Sequence, residues 1–312
     1  MAPMLFDTLK KCLAASAAIF SAQAMALNIF VCEPEWQALV AAHAPDADIF
    51  SATTAMQDPH YVQARPSLIA KMRQADLVMC SGAELEIGWL PMLQSKSGNR
   101  AAQNSSDTMI YAAGHVTMLD THNHVDRAMG DIHAHGNPHV QFAVNDIPEL
   151  SRVVTERLRH IDPENARLYQ ANGIRFRAQW HSNILRWQEL AAPLRGKKVV
   201  GYHTTYRYLF DWLGIEQVAD LEPKPGLQPT ASHLQSLTQL GKDSFDAIVF
   251  SSHQDQRPAN WLHEHTGKPV VELPMTVSDG QSLSELYDQV IHALLKTMAP
   301  TKSDITSGEA HG

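Results

Sequence analysis

DPENARLYQANGIRFRAQWHSNILRWQEL, residues 162–190, opens on an Asp-Pro pair and contains no second proline. Asp162 suits a helix cap, and Pro163 is tolerated in the first turn, where its missing N–H would have no partner anyway. Beyond them only Gly173 interrupts a run of helix formers, until Pro193 and Gly196 end it. Roughly 28 residues of helix would extend about 42 Å at 1.5 Å per residue. That is more than one small lobe needs. The stretch predicts a rod over residues 162–193 with a separate lobe at each side.

Outward from the rod, both flanks alternate between two periodicities. On the C-terminal side (residues 194–299), KKVVGY, QVADL, DAIVFS and PVVEL read as strands, with helices over 204–213, 230–240, 256–266 and 281–298. On the N-terminal side (residues 27–161), LNIFVC, ADIF, DLVMC and MIYAA read as strands. Helices are expected from Glu33 to about His43, from Pro66, within SGAELEIGWLPML, and after Asp146 as a cap. Strands alternating with helices imply parallel sheets covered on both faces. The fold class is therefore α/β: two lobes, each with a parallel-type sheet flanked by helices, joined by one long helix.

The 312 residues are 44% hydrophobic and 19% charged, with a formal charge of −8. That balance argues against nucleic acid or an anionic membrane as a main partner. Lys10 and Lys11 precede an apolar run from Cys12 to Phe20, and Ala24-Met25-Ala26 places small residues before a cleavage point. This is the pattern of a secretory signal peptide, residues 1–26, and of an exported, soluble protein. The polar tail, residues 300–312, is expected to be disordered. Cys32 and Cys80 remain after cleavage, and each ends a strand-like run. An even count in an exported chain invites a disulfide. Buried thiols are the alternative, and a thiolate metal site comes third.

Histidine is the other signal. GHVTMLDTHNHVDRAMGDIHAHGNPH (residues 114–139) carries His115, His122, His124, His133, His135 and His139. Neutral imidazole is a donor for zinc, copper and nickel. His122/His124 and His133/His135 are spaced by two, which suits flexible chelation. Three histidines share a different setting: His60 in Asp58-Pro59-His60, His139 in Asn137-Pro138-His139, and His203 just after a strand in GYHTTY. Ligands collect at the carboxyl ends of strands in open parallel sheets. Three imidazoles drawn from both lobes could form a tetrahedral site with one open position.

These pieces resemble the metal-specific substrate-binding proteins of ABC importers, the exported zinc and manganese receptors. The resemblance rests on DPHYVQARPSLIAKMRQADLV, SGAELEIGWL, the histidine-rich loop ending in NPH, IDPENARLYQANG, GKKVVGYHTTYRYLFDWLGI and AIVFSS, and covers essentially the whole chain after the leader. It implies that His60, His139 and His203 bind the metal between two lobes joined by a rigid helix, and that the protein, a monomer and no enzyme, delivers its ion to a membrane permease. The family's fourth ligand is commonly a carboxylate after the last strand. Here that run reads VELPMTVSDG, so Asp279, a water or an open position completes the site. Three histidines favour zinc over manganese, which prefers oxygen donors. The histidine-rich loop, residues 115–135, is then expected to be an accessory that captures further zinc weakly through His115, His122, His124, His133 and His135. Deleting it should leave one tight site.

Two other functions fit three histidines: a metal buffer or adhesin, and a zinc hydrolase. The chain has no HExxH and no motif-placed general base. Glu84 and Glu86 read as an acid/base pair or, on a helix start, as a structural or transporter-docking pair. The tryptophans Trp89, Trp180, Trp187, Trp212 and Trp261 read as packing.

Overall fold

A computed structural model describes residues 26–125, 130, 132–241 and 243–299. The expected leader up to residue 25 and the tail from residue 300 lie outside the described residues. The N-terminal lobe runs β1 (Asn28–Val31), α1 (Pro34–Ala41), β2 (Asp48–Ser51), α2 (Pro66–Gln74), β3 (Leu77–Cys80), α3 (Leu90–Ser97), β4 (Met109–Tyr111) and α4 (Ile147–Ile161). After α5 (Ala166–Leu190) come β5 (Lys198–Gly201), α6 (Arg207–Leu213), β6 (Glu216–Asp220), α7 (Ala231–Leu237), β7 (Ala247–Ser251), α8 (Arg257–Thr266), β8 (Val270–Leu273) and α9 (Leu283–Met298).

Each lobe holds a four-stranded sheet, ordered β2-β1-β3-β4 and β6-β5-β7-β8. Every pairing is parallel. The central strands β1, β3, β5 and β7 are short and largely apolar because both faces are covered, whereas the edge strands β2 and β6 are only partly buried. In β1, Ile29 and Val31 face a core shared with the second lobe, while Phe30 faces a core under α2 and α3. In the second lobe Val199, Ala247 and Val249 join the shared core, whereas Val200 and Ile248 turn to the other face. The period of two thus assigns each strand residue to one of two layers.

The long rod is confirmed, with its first turn tightened. Asp162 accepts a hydrogen bond from the Asn165 N–H and caps a 3-10 turn, Pro163–Asn165, which leads into α5. The 25 residues of α5 correspond to about 37 Å. Its Trp180 and Trp187 pack against Tyr287 of α9 at 5.1 and 4.9 Å between ring centroids, and the Trp180 indole donates to Val144 O at 2.8 Å. Asp146 precedes α4 as expected, but its side chain accepts the Thr117 N–H and caps nothing.

Gly173 has a reason to be glycine in mid-helix. A Cβ there would lie 2.2 Å from Thr155 Oγ1 of α4, so the residue lets α4 and α5 cross closely. Gly173→Ala should raise helix propensity yet lower stability by about 1–3 kcal/mol through overpacking. Denaturant unfolding tests this; a stabilised variant would contradict the crossing argument.

Cys32 and Cys80 are bridged, with Cα atoms 4.8 Å apart. They end the neighbouring strands β1 and β3. Their sulfurs lie within 4.8 Å of a Glu86 carboxylate oxygen, but bonded to each other they offer no thiolate to an ion. No helix among the described residues is long and apolar enough to cross a membrane.

Candidate metal centre

The two Asx-Pro-His segments form the same turn. Asp58 Oδ1 accepts the His60 backbone N–H at 3.0 Å, and Asn137 Oδ1 accepts the His139 N–H at 3.0 Å. An Asx side chain that bonds the backbone two residues on, with proline between, leaves the following histidine little backbone freedom. Each turn is also held from outside. The Trp89 indole donates to Pro59 O at 2.9 Å, and Asn137 Nδ2 donates to Thr204 O at 2.9 Å in the second lobe. Trp89 thus packs and also fixes the loop carrying His60.

The rings of His60, His139 and His203 face one another between the lobes, though their nitrogens do not all lie within 4.8 Å of each other. Ring centroids are 5.8 Å apart for His60–His139, 5.5 Å for His139–His203 and 6.2 Å for His60–His203. Two of the rings are oriented by carboxylates. His60 Nδ1 lies 2.7 Å from Asp58 Oδ1, and His203 Nδ1 lies 2.9 Å from Glu222 Oε2. A carboxylate can only accept, so these Nδ1 atoms carry the protons and each neutral ring keeps its lone pair on Nε2. Such carboxylate–histidine pairs orient metal ligands. His139 Nε2 is buried and has no hydrogen-bond partner. An orphaned buried nitrogen among lone-pair donors is what an ion would satisfy.

A fourth imidazole comes from the histidine-rich loop. His133 Nε2 lies 3.3 Å from His60 Nε2, and the rings stack at 5.4 Å. Two nitrogens bonded at about 2.05 Å to one tetrahedral ion would be about 3.3 Å apart. Since His60 Nε2 bears the lone pair, His133 donates this hydrogen bond in the metal-free protein. The ion would take that proton's place.

The remaining loop histidines are elsewhere. His115 is half-buried in a 3-10 turn, Ala112–His115, and His124 is exposed. His135 faces Glu84, and His122 lines a 360 Å³ cavity beside the cleft together with Asp120, His133, His203 and Asp220. Asp279 is exposed and does not line the cleft. The chain turns outward there, Gln281 N–H bonding Ser278 O, to reach the α9 cap at Ser282. The inward position belongs to Met275, while Thr276 hydrogen-bonds Glu35 of α1.

His253, which the sequence reading passed over, lines the same small cleft. Its Nδ1 is buried without a hydrogen-bond partner. It follows β7 as His203 follows β5, so the strand-end rule could have found it. Burial lowers the pKa of His253, and burial followed by repulsion from His203 and His60 takes His139 well below the ordinary imidazole range. Burial alone would raise Asp58, but its hydrogen bond and attraction to His60 bring it below the usual carboxylate range. His139 and His253 stay neutral and Asp58 stays ionised, the state that imidazole ligation requires.

Comparison with known proteins covers nearly the whole described chain. Residues 29–300 match the family model described as "ZnuA: Zinc-uptake complex component A periplasmic". The high-affinity zinc uptake system protein ZnuA of Yersinia pestis is 26% identical over 219 residues, 64% of this chain and 67% of that one. A crystal structure of a ZnuA deletion mutant with zinc bound is 18% identical with a TM-score of 0.75, covering 88% of this chain and 99% of that chain. The binding protein FpvC of Pseudomonas aeruginosa in complex with Mn2+ is 21% identical with a TM-score of 0.71, covering 86% and 99%. Matched along nearly all of its described length, the chain belongs to the ZnuA family of zinc-uptake components.

Proposed function

We propose that this protein is a periplasmic zinc receptor that delivers its ion to the membrane permease of an ABC importer. The carrying observation is the orphaned His139 Nε2 beside two imidazoles whose carboxylate partners turn their Nε2 lone pairs outward. His60, His139 and His203 supply three donors, and His133 supplies the fourth in place of Asp279. An all-nitrogen set favours zinc over manganese, although related proteins are described with either ion. The leader-like residues 1–26 support export.

The same arrangement speaks against hydrolysis. Catalytic zinc keeps an open position for water and substrate. His133, with its Nε2 3.3 Å from His60 Nε2, would fill that position on this reading, and the free volume of the cleft lined by His60, His139 and His203 is only about 30 Å³. The protein is a carrier, with zinc as cargo.

Metal analysis of protein purified without added metal should give one zinc per chain. In competition with a chromogenic chelator, His60→Ala and His203→Ala should each weaken zinc binding, and manganese should fail to displace zinc at equal concentration. Full zinc affinity in His203→Ala would refute the site.

A further inference from the structure

Glu84 and Glu86, expected on a helix start, lie instead in a strained turn. α3 begins only at Leu90, and Gly82, Ala83 and Glu84 have φ of 79°, 47° and 70°. Two consecutive non-glycine residues in the left-handed region are unusual and persist only where the surroundings impose them. Buried Glu86 imposes them here. Its Oε1 accepts the Ser81 N–H at 2.7 Å, and its Oε2 accepts the Gly82 N–H at 3.1 Å. The turn therefore has its own buried scaffold, and it presents Glu84 outward.

What Glu84 meets is the histidine-rich loop. Its Oε2 accepts the Ala134 N–H at 3.1 Å, and its Oε1 lies 3.6 Å from His135 Nδ1. These two residues directly follow His133, whose Nε2 is 3.3 Å from His60 Nε2. The base of the loop is fixed on the other lobe. Tyr208 accepts the Leu119 N–H and donates to Asn137 O, and Asp120 pairs with Arg207. Gly136, at φ 109°, passes so close to Leu119 O that a Cβ would sit 2.6 Å from it. Between that base and the first lobe, Glu84 holds the backbone next to His133.

We propose that the strained Gly82–Glu86 turn is a latch for the histidine-rich loop, with Glu84 as the positioning residue that seats His133 on the ion. The inference rests on His133 being the fourth donor. It assigns His133–His135 as a docked arm of the loop. Glu84 does not touch the metal; it acts through the backbone of Ala134.

The test uses cobalt(II), whose visible spectrum reports coordination, and zinc competition with a chelator. Glu84→Ala should weaken zinc binding about 10-fold, the loss typical when a ligand's supporting partner is removed. His133→Ala should reproduce both that loss and the altered cobalt spectrum. The double variant should be no worse than His133→Ala alone, because both remove one interaction. Glu84→Gly gives the same result without backbone strain, so a folding defect cannot imitate it. Glu84→Gln, which keeps an acceptor for the Ala134 N–H, should recover most of the affinity. If Glu84→Ala and Glu84→Gly leave spectrum and affinity intact while His133→Ala changes them, the latch is overturned and the fourth donor stands. If His133→Ala changes nothing, the fourth donor itself is wrong.

Discussion

His139→Leu should lower zinc affinity at least about 100-fold while leaving the metal-free protein no less stable than the parent. Four-donor zinc sites bind with about 10–16 kcal/mol, so one donor carries roughly 3 kcal/mol, or about two decades in Kd. The opposite expectation for the metal-free fold follows from burial. His139 is 2% exposed and its Nε2 has no partner. An unsatisfied buried polar atom costs about 1–3 kcal/mol, and leucine fills a similar volume without one. With zinc at a thousandfold the parent Kd, the parent gains about 4 kcal/mol from binding and the variant only about 1.4. Thermal melts with and without zinc read both halves. The zinc-induced rise, on the order of 10 °C for the parent, should fall to about a third. A variant that keeps the parent's rise would remove His139 from the site.

Both sheets are legible in the sequence because each strand is a short apolar run next to a helix start, and parallel pairing buries both faces. The same rule explains where the site forms. In the order β2-β1-β3-β4 the chain direction away from β1 reverses between β1 and β3, and in β6-β5-β7-β8 between β5 and β7. Ligands bind at such switch points. In the second lobe His203 follows β5 and His253 follows β7, on the two sides of the crevice. In the first lobe the equivalent crevice is filled by the Cys32–Cys80 bridge and the carboxyls of Glu33 and Glu86. On the proposed reading that lobe offers its ligands from loops, through the two Asx-Pro-His turns.

What the sequence hides is pairing over long separations. His133 shares its composition with every other histidine of its loop. Its distinction comes from Glu84, which bonds the next residue, Ala134, across 50 positions, and from His60, 73 residues away, and no local periodicity encodes either contact. Asp279 illustrates the converse. Nearness in sequence to the end of β8 suggests a ligand, but the buried side chains Met275 and Val277 commit the chain to a turn that leaves Asp279 in solvent.

The buried carboxyls of the first lobe set the other large effect: Glu35→Gln should stabilise the metal-free protein at pH 8 by roughly 3 kcal/mol and change little at pH 5. Glu33, Glu35 and Glu86 are each 2% exposed. Burial pushes Glu35 up to about 7, against the hydrogen bond from Thr276 that favours its ionised form. Burial raises Glu33 well above the ordinary range, reinforced by repulsion from Glu86 and Glu35, and burial raises Glu86 as well. A carboxyl with a raised folded pKa holds its proton where the unfolded chain has released it. Its stability contribution is complete below about pH 4.5 and is lost as pH rises through the folded value. For Glu35 the difference between 4.5 and about 7 amounts to roughly 3 kcal/mol. His43 works with the opposite sign. Burial lowers it to about 4, so its contribution is present above pH 6.5 and is lost as pH falls through about 4. The two effects oppose each other between pH 4.5 and 6.5, and above that the carboxyls act alone. Stability should therefore decline from pH 6.5 to 8 in the parent, and the decline should be shallower in Glu35→Gln, whose amide can still accept from Thr276. Urea unfolding at pH 5, 6.5 and 8 decides it: parallel pH profiles for parent and variant would mean that Glu35 is already ionised in the folded protein at neutral pH, its burial offset by the hydrogen bond that joins the two lobes.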